Sequence, residues 1–140
     1  MKLDQLVAVS GMQGIYRIAA NRNNGLIVED LSTGKKRFAS ARKHQFTPLE
    51  SIAIFTDDGD SIELKYVFRN MLQQFEDNPP VDPNAQPDVL HEYFAEVLPT
   101  YDRDRVFTGD IKKIIKWFNY LNEQGILQTE EDDQDHSEEE

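Results

Sequence analysis

Cysteine is absent from this chain of 140 residues. Its absence excludes a disulfide framework, a zinc–thiolate centre and a thiol nucleophile. Long apolar runs are absent too, and nothing approaches the roughly 18 residues that a membrane-crossing helix needs. The opening, Met1-Lys2-Leu3-Asp4-Gln5-Leu6, puts an acid where a secretory leader would carry its apolar stretch. A cytoplasmic protein without membrane contact is the expectation.

Catalytic and ligand-holding patterns are missing as well. The three histidines, His44, His91 and His136, do not fall at metal-ligand spacing. His91-Glu92 begins like a zinc-protease helix, but Ala95 stands where the second histidine belongs. His91 also lies off the apolar side of its own segment, so an exposed ring is expected. No Gly-x-Ser-x-Gly elbow occurs. Ser32-Thr33-Gly34-Lys35-Lys36 fails the phosphate-loop pattern at Glu29 and at Lys36. Asp57-Asp58-Gly59-Asp60 has adjacent acids between strand-like segments, which suits a hairpin turn better than a calcium loop. The expectation is therefore no enzyme, with no catalytic residues, no metal and no cofactor.

Charge is plentiful and unevenly placed. Residues 1–49 carry eight Lys/Arg against three Asp/Glu, and residues 50–128 carry seven against fifteen. Residues 129–140 add eight acids and no Lys or Arg, which brings the chain to its net charge of -11. That last segment, without one apolar side chain, cannot offset the entropy of ordering and is expected to be a disordered acidic tail.

Organisation follows from the turn signals. Gly11-Met12-Gln13-Gly14, Asn23-Asn24-Gly25, Ser32-Thr33-Gly34-Lys35 and Asp57-Asp58-Gly59-Asp60 punctuate short β-prone runs. The Asn-Gly pair predicts a type I′ hairpin, whose central residues need positive φ. Strands at this spacing predict a small antiparallel barrel over residues 1–63, SH3-like in size. Leu64, Val67, Phe68, Met71, Leu72 and Phe75 then fall on one helical stripe, so 64–75 is a connecting amphipathic helix. Four of the six prolines lie within 76–87, a linker. Residues 88–128 form a helical module. Its first helix turns Val89, Leu90, Tyr93, Phe94 and Val97 inward. Its second starts at Thr108 as N-cap, has Ile111, Ile114, Ile115, Phe118 and Leu121 on one face, and stops at Gly125. The fold class is α+β: a small N-terminal barrel followed by a C-terminal helical module.

Two surfaces are candidates for function. Lys35, Lys36, Arg37, Arg42 and Lys43 interleave with Phe38 and Phe46, a mixture suited to RNA or single-stranded DNA. The bland account is a solvated hairpin whose Phe38 and Phe46 are core, and it is preferred. Tyr93, Tyr101, Phe107, Trp117 and Tyr120 give the helical half more aromatic surface than a small core needs, which suits a partner protein.

Gly14-Ile15-Tyr16, Gly25-Leu26-Ile27-Val28-Glu29 and Ser51-Ile52-Ala53-Ile54-Phe55-Thr56-Asp57-Asp58 carry a family resemblance. So does the run from Tyr93-Phe94-Ala95-Glu96 through Leu98-Pro99-Thr100-Tyr101-Asp102-Arg103-Asp104-Arg105 to Trp117-Phe118. Over about residues 1–127 the chain resembles a bacterial family of unknown function, built from an N-terminal β module and a C-terminal helical module. That resemblance implies the layout and lends no activity. The functional expectation is a binding or adaptor protein that holds a partner protein, with nucleic-acid binding as the alternative.

Overall fold

The computed structural model describes residues 3–12 and 14–127. The expected acidic tail, 129–140, and Gln13 lie outside the described residues. The chain divides into two compact units, the first ending at Ile52 and the second starting at Ala53. The expected end of the β module at 63 is thus later than the observed division.

The first unit is an antiparallel sheet of β1 (Leu6–Val9), β2 (Ile15–Arg22), β3 (Gly25–Asp30), β4 (Lys36–Ser40) and β5 (Phe46–Pro48), followed by a 3-10 turn at Leu49–Ser51. The strand order is β4-β3-β2-β1-β5. Each short turn returns the chain beside the strand it left, which makes β1 to β4 a meander; β5 then crosses to the far side of β1. The expected SH3-like barrel is not closed: β4 and β5 stand at opposite edges. Two features keep it open. β5 has only three residues and ends in Pro48, which lacks an N–H for a second ladder. The strands expected to extend the barrel, β6 (Ala53–Phe55) and β7 (Ser61–Glu63), pair with each other in the second unit.

One core of the sheet consists of Val7, Val9, Tyr16, Val28 and Ala39, with Met12, Ile18, Leu26 and Phe46 packed around it. Phe46 is therefore core-associated, as expected. Phe38 is not: it remains 44 % exposed. Pairing explains the difference. Phe38 sits opposite Ile27, one residue out of phase with Val28 on β3 and Ala39 on β4, which belong to the core, so its side chain leaves on the other face.

The β2–β3 turn also departs from expectation. Arg22 pairs with Gly25 across Asn23 and Asn24, yet none of Asn23, Asn24 and Gly25 has a positive φ. The hairpin is not type I′, and an irregularity between Ile18 and Ala20 falls in the same ladder. Such a bulge supplies extra local twist. Gly25 is required for space instead. A Cβ there would collide with the Ala39 carbonyl oxygen and stand 2.9 Å from Phe38 Cζ, because the Phe38 ring lies across the glycine.

The second unit adds three helices: α1 (Leu64–Gln73), α2 (Pro87–Val97) and α3 (Thr108–Glu123). Leu64, Val67, Phe68 and Met71 are fully buried on α1, as the stripe predicts. The helix stops before Phe75, which still reaches the Phe118 ring at 6.1 Å between centroids. Pro87 opens α2, where its missing N–H costs nothing. Val89, expected inward, is exposed, whereas Leu90, Tyr93, Phe94 and Val97 are buried. Side chains of α1 complete the end of α2: Asn70 Nδ2 donates to Val97 O and Gln74 Nε2 to Glu96 O, each at 3.0 Å. These carbonyls lie in the last turn, where no intrahelical donor remains. On α3 the five expected core residues are all buried. Its end is a Schellman motif, in which Gly125 (φ 71°) lets Ile126 N reach Leu121 O and Gly125 N reach Asn122 O.

Tyr93 is only 3 % exposed, and its hydroxyl has no hydrogen-bond partner among the described residues. Burial pushes its ionisation far above the ordinary tyrosine value. An unpaired buried hydroxyl carries a desolvation cost, so Tyr93→Phe is expected to stabilise the protein by about 1 kcal/mol. Urea denaturation of the two proteins checks this; a loss of stability in the variant would show that the hydroxyl is satisfied.

Candidate functional site

The residues between α2 and α3 are held in one conformation by contacts from three sides. Thr56 forms an isolated antiparallel bridge with Tyr101. Asp57 N donates to Thr100 O at 2.8 Å, and Asp102 N to Phe55 O at 3.0 Å. The Asp102 carboxylate accepts from Asp104 N at 2.9 Å and from Arg105 Nε at 3.1 Å. The Arg105 hydrogen bond, followed by that of Asp104, holds the Asp102 carboxyl below the usual carboxylate range. The Arg105 guanidinium in turn lies 4.2 Å from the centre of the Phe55 ring, within cation–π range. On the neighbouring hairpin, the Thr56 hydroxyl donates to Asp58 Oδ1 at 2.6 Å, and that bond above all lowers the Asp58 carboxyl.

His91 is bound on both ring nitrogens, contrary to the expected exposed ring. Nδ1 lies 2.8 Å from Tyr101 Oη, and Nε2 lies 3.1 Å from Thr108 Oγ1. The ring also stacks on Tyr101, with centroids 6.0 Å apart. Thr108, His91 and Tyr101 thus follow the order of a nucleophile–base–orienter chain. The third member of such a chain must stabilise an imidazolium, which a carboxylate does. Here a neutral phenol takes that third place, since burial raises the Tyr101 ionisation above the ordinary tyrosine value. The geometry is that of a structural clamp.

The clamp changes the start of α3. Thr108 was expected to cap the helix, but its hydroxyl faces His91, and Phe107 occupies the N-cap position. Asp110 Oδ2 accepts from Phe107 N at 2.9 Å, which is half of a capping box. Phe107 itself stands 63 % exposed, the most open of the large apolar side chains described.

The five predicted partner-binding aromatics therefore separate. Tyr93 and Tyr101 are buried, Trp117 and Tyr120 are half-buried on α3, and Phe107 alone is freely presented. Sequence reasoning missed Phe55 (43 % exposed) and Arg105, which face outward near the same ordered segment. The signal was present: Ile54 is the inward residue of β6, so a period of two turns Phe55 out.

The five basic residues, Lys35, Lys36, Arg37, Arg42 and Lys43, are all exposed in the first unit. They do not share a face. Lys36 pairs with Glu29 and Arg37 with Val28, so their side chains leave on opposite sides of β4. Arg42 and Lys43 follow the far end of that strand, past Ser40, which lies four residues or about 14 Å from Lys36 at 3.4 Å per residue. Directly after Lys43, His44 Nδ1 lies 2.6 Å from Ser10 O, which fixes the turn. Among the described residues no group of His, Asp and Glu is arranged to hold a metal ion, and no helix is long and apolar enough to cross a membrane.

A mixed α+β chain of two units, joined at residues 52/53, matches two families along its length. Residues 3–49 match a domain of unknown function, DUF5606, and residues 52–121 match a second, DUF6852. The chain belongs to the family that carries these domains, and the junction between the matches coincides with the division of the fold. It is similar to a Bacteroides vulgatus protein whose solution NMR structure was determined by a structural-genomics consortium. The two share 37 % identity, with 91 % of this chain and 90 % of that chain covered and a TM-score of 0.73. No curated protein matches the chain.

Proposed function

We propose that this is a cytoplasmic, non-catalytic adaptor that holds a partner protein on its second domain, with Phe107 as the anchor. The observation that carries this reading is the choice of phenylalanine at a helix N-cap. Ser, Thr, Asp and Asn are the stabilising residues there. Phe107 forgoes that stabilisation and presents an exposed ring on a segment already ordered by the His91 clamp and the Asp102 hydrogen bonds. Ordered aromatic and arginine side chains are what binding hot spots are made of, because little entropy is lost when a partner closes on them. Phe55 with Arg105 supplies a second element of that kind.

The alternative, RNA or single-stranded DNA on the first domain, has one feature in its favour: Phe38 is exposed beside Lys36 on one face of β4. Against it, Arg37 leaves on the other face, and Arg42 and Lys43 lie beyond the strand's far end.

Phe107→Ser separates the outcomes. Affinity capture from nuclease-treated lysate should recover a stoichiometric protein with the natural chain and at least tenfold less with the variant. The variant should also be about 0.5–1 kcal/mol more stable, since serine caps where phenylalanine cannot. Equal recovery by both proteins, or loss of all bound material with the nuclease, would overturn the reading.

A further inference from the structure

The outer edge of β4 is a separate surface, on the other domain. Antiparallel pairing commits the backbone of alternate residues to the neighbouring strand. Lys35 O accepts from Asp30 N, and Ala41 N donates to Asn24 O, each at 2.8 Å. The odd-numbered residues of β4 are therefore those bonded inward to β3. The N–H and C=O groups of Lys36 and Phe38 point outward, and no strand pairs with them among the described residues. Ser40 N–H shares that direction, while its carbonyl already accepts from Lys43 N and His44 N.

Side chains along this edge alternate in a way that selects a ligand. Lys36 and Phe38 leave on one face and Arg37 on the other. A row of phosphates following one face meets only one of those two cations. An added β-strand meets both, because its own successive side chains alternate in the same manner. Two consecutive acidic residues would place one carboxylate beside Lys36 and the next beside Arg37. The position facing Phe38 suits an apolar side chain. A second copy of β4 is disfavoured at the same edge, since it would set lysine and arginine against lysine and arginine.

We propose that β4 takes up an extended acidic segment of a partner protein by strand addition, with backbone hydrogen bonds to Lys36 and Phe38 and carboxylates paired to Lys36 and Arg37. This goes beyond the Phe107 reading and does not depend on it. The two fail separately, because the edge is tested with a peptide and the Phe107→Ser chain should bind that peptide as the natural chain does.

The full-length protein is titrated with a labelled eight-residue peptide, blocked at both ends, in which one valine is followed by acidic residues. A second peptide has the same sequence with alternate amides N-methylated, so that charge is kept and strand pairing is lost. Expected are saturable binding of the first peptide, at least fivefold weaker binding of the second, and slower amide exchange at Lys36 and Phe38. Lys36→Gln/Arg37→Gln should weaken the first peptide at least tenfold with a nearly unchanged melting temperature, since no like charge is set against Glu29. Equal binding of both peptides, equally tight binding of an oligothymidylate of the same charge, or no binding at millimolar peptide would each overturn the proposal. So would peptide binding seen only in a chain ending at Gln128, which would make the protein's own acidic segment the occupant. Concentration-dependent dimerisation that protects the Lys36 and Phe38 amides without peptide would make a second copy the occupant, and would overturn it too.

Discussion

Gly25→Ala is expected to lower the unfolding free energy by about 3 kcal/mol, a large loss for one methyl group. Alanine is ordinarily preferred to glycine within a strand by about 0.5–1 kcal/mol, so propensity alone gives the opposite sign. Position 25 reverses it because the added Cβ meets the Ala39 carbonyl oxygen and the tip of the Phe38 ring. The ring can rotate away; the carbonyl belongs to the β3–β4 ladder and cannot move without breaking pairs. Phe38→Ala in the Gly25→Ala background should therefore recover only part of the loss. If the role of Gly25 were a positive φ, asparagine would be a better replacement than alanine. The backbone there is ordinary, so Gly25→Asn should be at least as harmful. Urea unfolding of the four proteins checks all of this, and a Gly25→Ala loss below about 0.5 kcal/mol would show that the hairpin shifts to make room.

Phe118→Ala should cost about 4 kcal/mol, at the upper part of the range for emptying a large aromatic from a core. Phe118 is fully buried on α3, and the rings of Phe68 and Phe75 each lie 6.1 Å from it. Phe68 is fully buried on α1 and cannot follow the cavity without leaving its helix, so little collapse offsets the void. Phe75 lies past the end of α1 and is partly exposed, which makes it the one neighbour able to swing inward. Leucine at 118 should recover more than half of the loss. All three helices belong to the second unit, so helical ellipticity at 222 nm reports this change. Loss of ellipticity at a lower urea midpoint is the expected result; an unchanged midpoint would mean that Phe118 is not a keystone of that core.

Periodicity made the helices legible. The stripes of α1 and α3 carry four or five apolar residues at 3.6-residue spacing, and no competing pattern exists. Val89 escaped the same reasoning because it lies at the rim of the stripe, two residues into α2, where Leu90 beside it takes the fully buried place. The strands were legible as strands, but closure of the sheet was not, since it depends on whether a three-residue edge ending in Pro48 can support a second ladder. At the candidate site the sequence held the residues without their assignments. Thr108 matches the N-cap preference, yet His91, seventeen positions earlier, takes its hydroxyl. Tyr101 reads as a surface aromatic in a charged run, and the bridge to Thr56 draws it into the core. Long-range partners decided both cases, and no local window contains them.

On the reading proposed above, the phenylalanine that caps α3 sets thermal robustness and partner recognition against each other at one position. Any selection that rewards only survival at high temperature would drift there toward serine or aspartate, gaining a helix cap. The protein so improved would melt later and, on the reading offered above, would have lost its anchor. Position 107 is thus where a library sorted by stability and a library sorted by binding should diverge.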